Sequence, residues 1–300
     1  MSCFAPQLAQ FMMHSFQKMV DTLKSRGKKD DKGHKEFGHE NDSDLFWIEE
    51  KLDGERMQMH MIEDPSILGG RRFAWWSRKA KDYTYLYGNG FEDENSALTR
   101  HIKEAFEPRV RNIILDGEMI TWDPAPDRMV GFGTLKTAAK SEQRNPYDGT
   151  GQRPLFRIFD CLYINDRDIT QYPLMERRKA LDKVVHDVHR RLEKHSFVEA
   201  STADQIEESL RRVVADASEG LVLKNPRSVY RLNSRNDDWL KVKPEYMTEF
   251  GENLDCLVIG GYYGSGRRGG FLSSFLCGLR VNGKSLLMIP PPLHKTHFVS

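Results

Sequence analysis

Strand signals recur along this chain at intervals too short for a parallel sheet, and only two or three helical stretches interrupt them. Residues 46–51, 55–62 and 72–77 are short apolar-rich runs, and Asp53-Gly54, a common hairpin dipeptide, separates the first two. Residues 112–122 and 155–164 are further strands. Pro173, whose fixed φ suits the first helical position, then precedes Leu174, Leu181, Val184, Val188 and Leu192, which predict one buried helical stripe. Residues 203–217 read as a second helix, and strand signals return at 220–224 and 239–243. Near the start, Phe16, Met19, Val20 and Leu23 predict a short helix over 12–23. The expected class is α+β, antiparallel β-sheets flanked by helices, with residues 1–247 as one domain.

Two segments depart from this pattern. Residues 24–44 hold Lys, Asp, Gly, His and Glu with almost nothing apolar, which reads as a charged flexible insertion. A basic patch for DNA is the competing reading there, and the interspersed acids weigh against it. Residues 248–300 contain two short strands, 255–263 and 271–281, around the glycine-rich Gly264-Ser-Gly266-Arg267-Arg268-Gly269-Gly270, as at the start of a small β-barrel. Residues 281–300, with Pro290-Pro291-Pro292, show no periodicity and read as a ragged end.

Composition narrows the function classes. With 300 residues and 39% hydrophobic content the chain can build one large domain and part of another. A net charge of +1 means that a polyanionic partner has to be met by a local basic surface. Cys3, Cys161, Cys256 and Cys277 are too dispersed for a zinc site or a disulfide framework, so a reducing interior such as cytosol or nucleus is expected. No long apolar run points to a membrane.

Two nucleotide motifs fail on context. Gly278-Leu-Arg-Val-Asn-Gly283-Lys284-Ser285 matches a phosphate-cradling loop, but that loop has to open a helix, and the prolines at 290–292 stop one almost at once. Gly264-Ser-Gly266-Arg-Arg-Gly269 matches a dinucleotide fingerprint, but a strand follows it, and the acidic residue expected further on is missing.

Lys51-Leu-Asp53-Gly54-Glu-Arg56 is different, because it sets a lysine close to a carboxylate and a guanidinium. A surface β-turn could supply the same string. As a nucleophile, a lysine has to lose a proton from a group of ordinary pKa ~10.4, through desolvation or neighbouring cations. Nucleotidyl transfer further needs a grip on the base, cations on the α-phosphate and carboxylates for a divalent metal. Glu118 and Glu219 are candidates for Mg²⁺, which takes one or two protein carboxylates plus phosphate oxygens and water. Lys241 and Lys243 share one strand face and can meet one phosphate, with Lys224 on a neighbouring strand. Phe159 is a candidate to stack on a base. Taken singly, Lys241 and Lys243 could be a solvated strand face, Glu118 a turn residue and Phe159 plain core.

The ordered series Lys51-Leu-Asp-Gly-Glu-Arg56, Ser77-Arg78, Leu115-Asp-Gly-Glu118-Met, Phe159-Asp160, Glu219-Gly-Leu-Val-Leu-Lys224 and Trp239-Leu-Lys241-Val-Lys243 resembles the motifs of ATP-dependent DNA ligases. The strings around Lys51, Trp239-Leu-Lys-Val-Lys-Pro-Glu-Tyr246 and Leu257-Val-Ile-Gly-Gly-Tyr-Tyr-Gly264 look most like the ligase IV branch. The resemblance implies a nucleotidyltransferase (adenylation) domain, ATP-grasp-like, followed by a partial OB-fold. It implies ATP and Mg²⁺ as cofactors, with Lys51 attacking the α-phosphate to hold AMP, which then passes to a 5′-phosphate of broken duplex DNA. The Glu49 main chain would read the adenine amino group, and Glu50 and Leu52 would line the pocket. Phe159 would stack, while Arg56 and Arg78 would sit near ribose and phosphate. Glu118 and Glu219 would serve the metal, and Lys224, Lys241 and Lys243 the phosphate.

The same resemblance implies non-homologous end joining in the nucleus, and a coiled-coil scaffold partner that full-length relatives bind through a C-terminal region outside these residues. It also implies a helical DNA-binding domain and a final basic motif, neither of which is expected within these residues. Lys79 stands where asparagine is expected. The alternatives are a catalytically impaired fragment that only binds nucleotide or DNA, and an RNA ligase or capping-type nucleotidyltransferase.

Overall fold

The computed structural model describes residues 3–11, 15–30, 44–131, 133–146, 150–216, 218–244, 257–264, 269–282 and 285–289. The chain divides into two units, Met1–Met247 and Thr248–Ser300.

The first unit starts with β1 (Leu8–Phe11) and α1 (Phe16–Asp30), then β2 (Phe46–Glu50), β3 (Glu55–Glu63) and β4 (Arg71–Ser77). After the one-turn α2 (Thr84–Tyr87) come β5 (Asn112–Asp123), β6 (Arg128–Val130), α3 (Leu135–Arg144), β7 (Arg153–Ile164) and β8 (Arg167–Asp168). The unit closes with α4 (Leu174–Val184), β9 (Leu192–Lys194), β10 (Val198–Ala200), α5 (Ala203–Ala215), β11 (Leu221–Lys224) and β12 (Arg235–Val242).

Two sheets result. One runs β1-β12-β11-β2-β10, and the other runs β4-β3-β5-β7-β8 with β6 on β5 and β9 on β7. Pairing is antiparallel except for β1 on β12 and β9 on β7. Alternation on β3 turns Met57, Met59 and Met61 into the main core with Trp75, Leu115 and Phe156. The opposite face of β3 carries the buried Gln58 and His60. This is the mixed antiparallel architecture that the strand spacing predicts.

Local expectations are corrected in four places. The strands at 46–51 and 55–62 are not a hairpin, because β2 and β3 belong to different sheets and residues 51–54 cross from one to the other. Gly54 is needed at that crossing because a Cβ there would lie 2.3 Å from the Met119 carbonyl oxygen. The helix predicted over 12–23 is α1, which runs on through Asp30 into the charged stretch. Residues 31–43 of that stretch lie outside the described residues.

The third correction concerns α4, which ends at Val184 rather than reaching Leu192, and Pro173 caps it from outside. Val185 is extended and bridges to Phe106, and Leu192 opens β9 against β7. Tertiary pairing overrides the helical spacing there. The fourth lies in the second unit, an antiparallel sheet of β13 (Leu257–Tyr263), β14 (Leu272–Asn282) and β15 (Ser285–Ile289). Its third strand falls in the stretch read as ragged, since register with β14 specifies it and no alternation of its own does. Ser285 thus opens a strand, which agrees with rejecting a phosphate loop. Residues 290–300 lie outside the described residues.

Candidate active site

Lys51 follows the last residue of β2, at the point where the chain leaves one sheet for the other. Its N–H donates to the Gly220 carbonyl at 2.8 Å, which ties it to the start of β11. Gly220 has φ +139°, and a Cβ there would lie 2.2 Å from the Val242 oxygen, so a glycine is required for β11 and β12 to close beside the lysine. Glu219, immediately before it, is thereby aimed at the same point.

The Lys51 ammonium donates to Glu219 Oε2, and Lys243 Nζ lies 2.6 Å from the other oxygen of that carboxylate. Although its partial burial acts the other way, hydrogen bonds from Lys243 and Lys51 hold the Glu219 carboxyl below its ordinary range. Lys241 is pushed down, first by desolvation and then by Arg235, Lys51 and Lys243. Several cations therefore converge on one carboxylate. Glu118, on β5 of the other sheet, is pushed up to about 7 by burial, against the pull of Arg56 and Lys51.

A cleft of about 1080 Å³ opens between the sheets, and every residue nominated from the sequence lines it. Their roles in the wall differ. Glu49 is 2% exposed, and its carboxylate neutralises Lys224 at 2.6 Å with Arg178 at 3.6 Å. Lys224 Nζ in turn lies 4.4 Å from the centroids of both Phe159 and Trp239, which meet edge to face at 6.1 Å. Lys224 thus sits at the aromatic end rather than beside Lys243. Glu50 accepts from Ser218 Oγ at 2.5 Å, and Leu52 packs on Ile120, Trp122 and Leu155.

Arg56 forks onto Asp116 at 2.9 and 2.5 Å, donates to the Gln7 carbonyl at 2.8 Å, and lies over Phe159 at 4.9 Å. Its hydrogen bonds go into the protein, and it braces the pocket wall. Arg78 is exposed on the rim with Lys79.

The profile described as "ATP dependent DNA ligase domain" matches residues 6–243. The chain belongs to the ATP-dependent DNA ligase family. Among its relatives, DNA ligase 4 of Coccidioides immitis is 66% identical over 282 residues, covering 94% of this chain and 27% of that protein. DNA ligase 4 of Aspergillus fumigatus is 64% identical with the same coverage, and that of Yarrowia lipolytica is 45% identical, covering 94% of this chain and 28% of that protein. The chain thus spans about a quarter of the length of these relatives. A solved structure, mycobacterial DNA ligase D complexed with ATP and MES, superposes with a TM-score of 0.51 at 19% identity, covering 96% of this chain and 71% of that one. That likeness shows the fold.

Within this ligase-family cleft, several lining residues had no clear signal in the sequence. His195 comes from the short β9–β10 connection and Arg235 from the first residue of β12, while Leu8 and Ala9 come from the unpredicted β1 and Pro6 from the segment before it. The α4 residues Arg177 and Arg178 are also buried, and only their positions between Leu174 and Leu181 on the apolar stripe hinted at it.

Glu118→Gln is expected to stabilise the nucleotide-free chain. The folded value of about 7 exceeds the ordinary 4.5, so folding binds the proton more tightly and stability falls as pH rises through that window. The gain should be on the order of 2 kcal/mol at about pH 8 and vanish near pH 4, as read from urea midpoints. Equal gains at both pH values would contradict the assignment.

Proposed function

We propose that this chain is the adenylating core of a DNA-joining enzyme. Lys51 Nζ, once deprotonated, attacks the α-phosphorus of ATP. The N–P bond forms as the bond to the oxygen bridging the β-phosphate breaks, and pyrophosphate leaves with that electron pair. AMP then passes to the 5′-phosphate of a DNA break, and a 3′-hydroxyl displaces it. The observation that carries this reading is the shared carboxylate: Glu219 holds Lys51 at the mouth of an aromatic pocket and sets Lys243 beside it.

The chain's own residues divide the work. Phe159, Trp239 and the Glu49–Lys224 pair form the base end. Lys241, Lys243 and Arg235 supply preorganised positive charge where negative charge develops on phosphoryl oxygens. Among the described residues no group of three or more His, Cys, Asp or Glu converges as a metal cage. Glu118 and Glu219 nevertheless have the donor chemistry for Mg²⁺ that arrives with phosphate, because both carboxylates line the cleft beside Lys51 and Mg²⁺ takes one or two protein carboxylates with phosphate oxygens and water. When bound there, the ion would neutralise phosphate oxygens.

Relatives named DNA ligase 4 agree with a role in DNA joining; double-strand break repair by end joining, a nuclear location and a scaffold partner of the longer protein are part of the same proposal. Intact-mass analysis after incubation with ATP and Mg²⁺ tests the first step. One AMP adduct on Lys51 is expected. A GMP adduct from GTP would point instead to a capping-type enzyme, and an unmodified chain to a fragment that only binds. Lys243→Ala should slow adduct formation about 10²-fold with the fold intact, since it removes one preorganised cation. A wild-type rate would contradict that role.

A further inference from the structure

One buried acceptor in the cleft is used by none of the ion pairs described. His195 is 4% exposed and lines the cleft with Glu49, Lys224 and Phe159. Its Nε2 lies 2.9 Å from the Glu50 carbonyl oxygen. A carbonyl can only accept, so Nε2 carries the hydrogen. Burial holds the imidazole below its ordinary pKa, although Glu49 pulls the other way. The ring is therefore neutral, and its Nδ1 presents a bare lone pair. That atom is buried and has no hydrogen-bond partner among the described residues. A buried acceptor left unpaired is unfavourable until a ligand supplies a donor.

The ring's position is fixed from behind. His195 N–H donates to the Ile158 carbonyl at 2.7 Å. The buried Arg178 guanidinium donates to the Phe159 carbonyl at 2.9 Å and to the His195 carbonyl as well. One side chain thus ties the residue that carries the aromatic face to the residue that carries the imidazole.

We infer that His195 selects the base: its Nδ1 accepts a hydrogen bond from the 6-amino group of the purine held against Phe159. The inference rests on the nucleotide-binding role proposed above. Adenine offers an N–H at that position, whereas guanine offers a carbonyl oxygen and would set two acceptors face to face.

The test is equilibrium binding to the full chain of ATP and of purine riboside triphosphate, which lacks the 6-amino group. The native chain should prefer ATP about tenfold. His195→Ala should bind both within about twofold, and His195→Asn, whose amide oxygen can replace Nδ1, should keep a preference. A native-sized preference in His195→Ala would overturn the assignment. If His195→Ala binds neither ligand, His195→Asn decides, and a lost preference there overturns it too. Because binding is read rather than chemistry, a chain that shows the preference but forms no Lys51 adduct defeats the proposed reaction and leaves His195 in its role. A chain that binds no ATP defeats both.

Discussion

Lys51→Arg is expected to abolish the AMP adduct, a loss of at least about 10⁴-fold in adenylation rate, while the protein stays folded. Arginine keeps a positive charge for the Glu219 carboxylate that Lys51 now contacts. Its guanidinium does not deprotonate in a protein, so it offers no lone pair to phosphorus. Stability should therefore change little, because the site is partly open and the ion pair survives in altered geometry. Intact mass and pyrophosphate release with ATP and Mg²⁺ give the rate, and a thermal melt gives the fold. An adduct forming at the native rate in Lys51→Arg would place the nucleophile elsewhere in the cleft.

The largest expected effect on stability lies behind the pocket. Arg177 and Asp160 are both fully buried and form a two-pronged pair at 2.7 Å each. Arg177 also donates to the carbonyls of Tyr172 at 2.6 Å and Ser228 at 3.1 Å. Arg177→Ala leaves the Asp160 carboxylate in the interior without a counter-charge, which should cost about 3–5 kcal/mol in denaturant unfolding. The double variant Asp160→Asn with Arg177→Met should recover part of that loss, since no unpaired charge remains. A loss under about 1 kcal/mol in the single variant would mean that water reaches Asp160.

The pair also bears on the site. Asp160 follows Phe159 on β7, and Arg177 and Arg178 are adjacent on α4. The two guanidiniums therefore hold the aromatic residue's own strand, Arg177 through Asp160 and Arg178 through the Phe159 carbonyl. Phe159-Asp160 was legible as a motif because two residues carry it in one string. Their arginine partners were not, because charged residues on an apolar stripe are ordinarily read as its edge, and only the packing of α4 on β7 turns them inward.

Other differences have similar causes. Residues 46–51 and 55–62 were legible as strands, but pairing between them was inferred from Asp53-Gly54, a local signal that a sheet crossing can also use. The end of α4 and the presence of β1 depend on partners distant in the chain, Phe106 and β12, and β15 depends on its register with the neighbouring β14 rather than on any pattern of its own. His195 stands in a β9–β10 connection with no periodicity to mark it. Its significance comes from the Glu50 carbonyl 145 residues earlier in the chain.

By itself the sequence determined the chemistry available: a lysine nucleophile, two carboxylates, a set of cations and an aromatic ring, each in a short string whose local backbone is set by strand propensity and glycine placement. Tertiary structure alone decided which of these meet. Lys51 and Glu219 lie 168 residues apart, and they meet because β11 pairs with β2 in a register that sets Leu221 opposite Glu50. Such a register is settled by the burial of whole sheet faces and by the close approach that Gly220 permits, and no short window of sequence contains either.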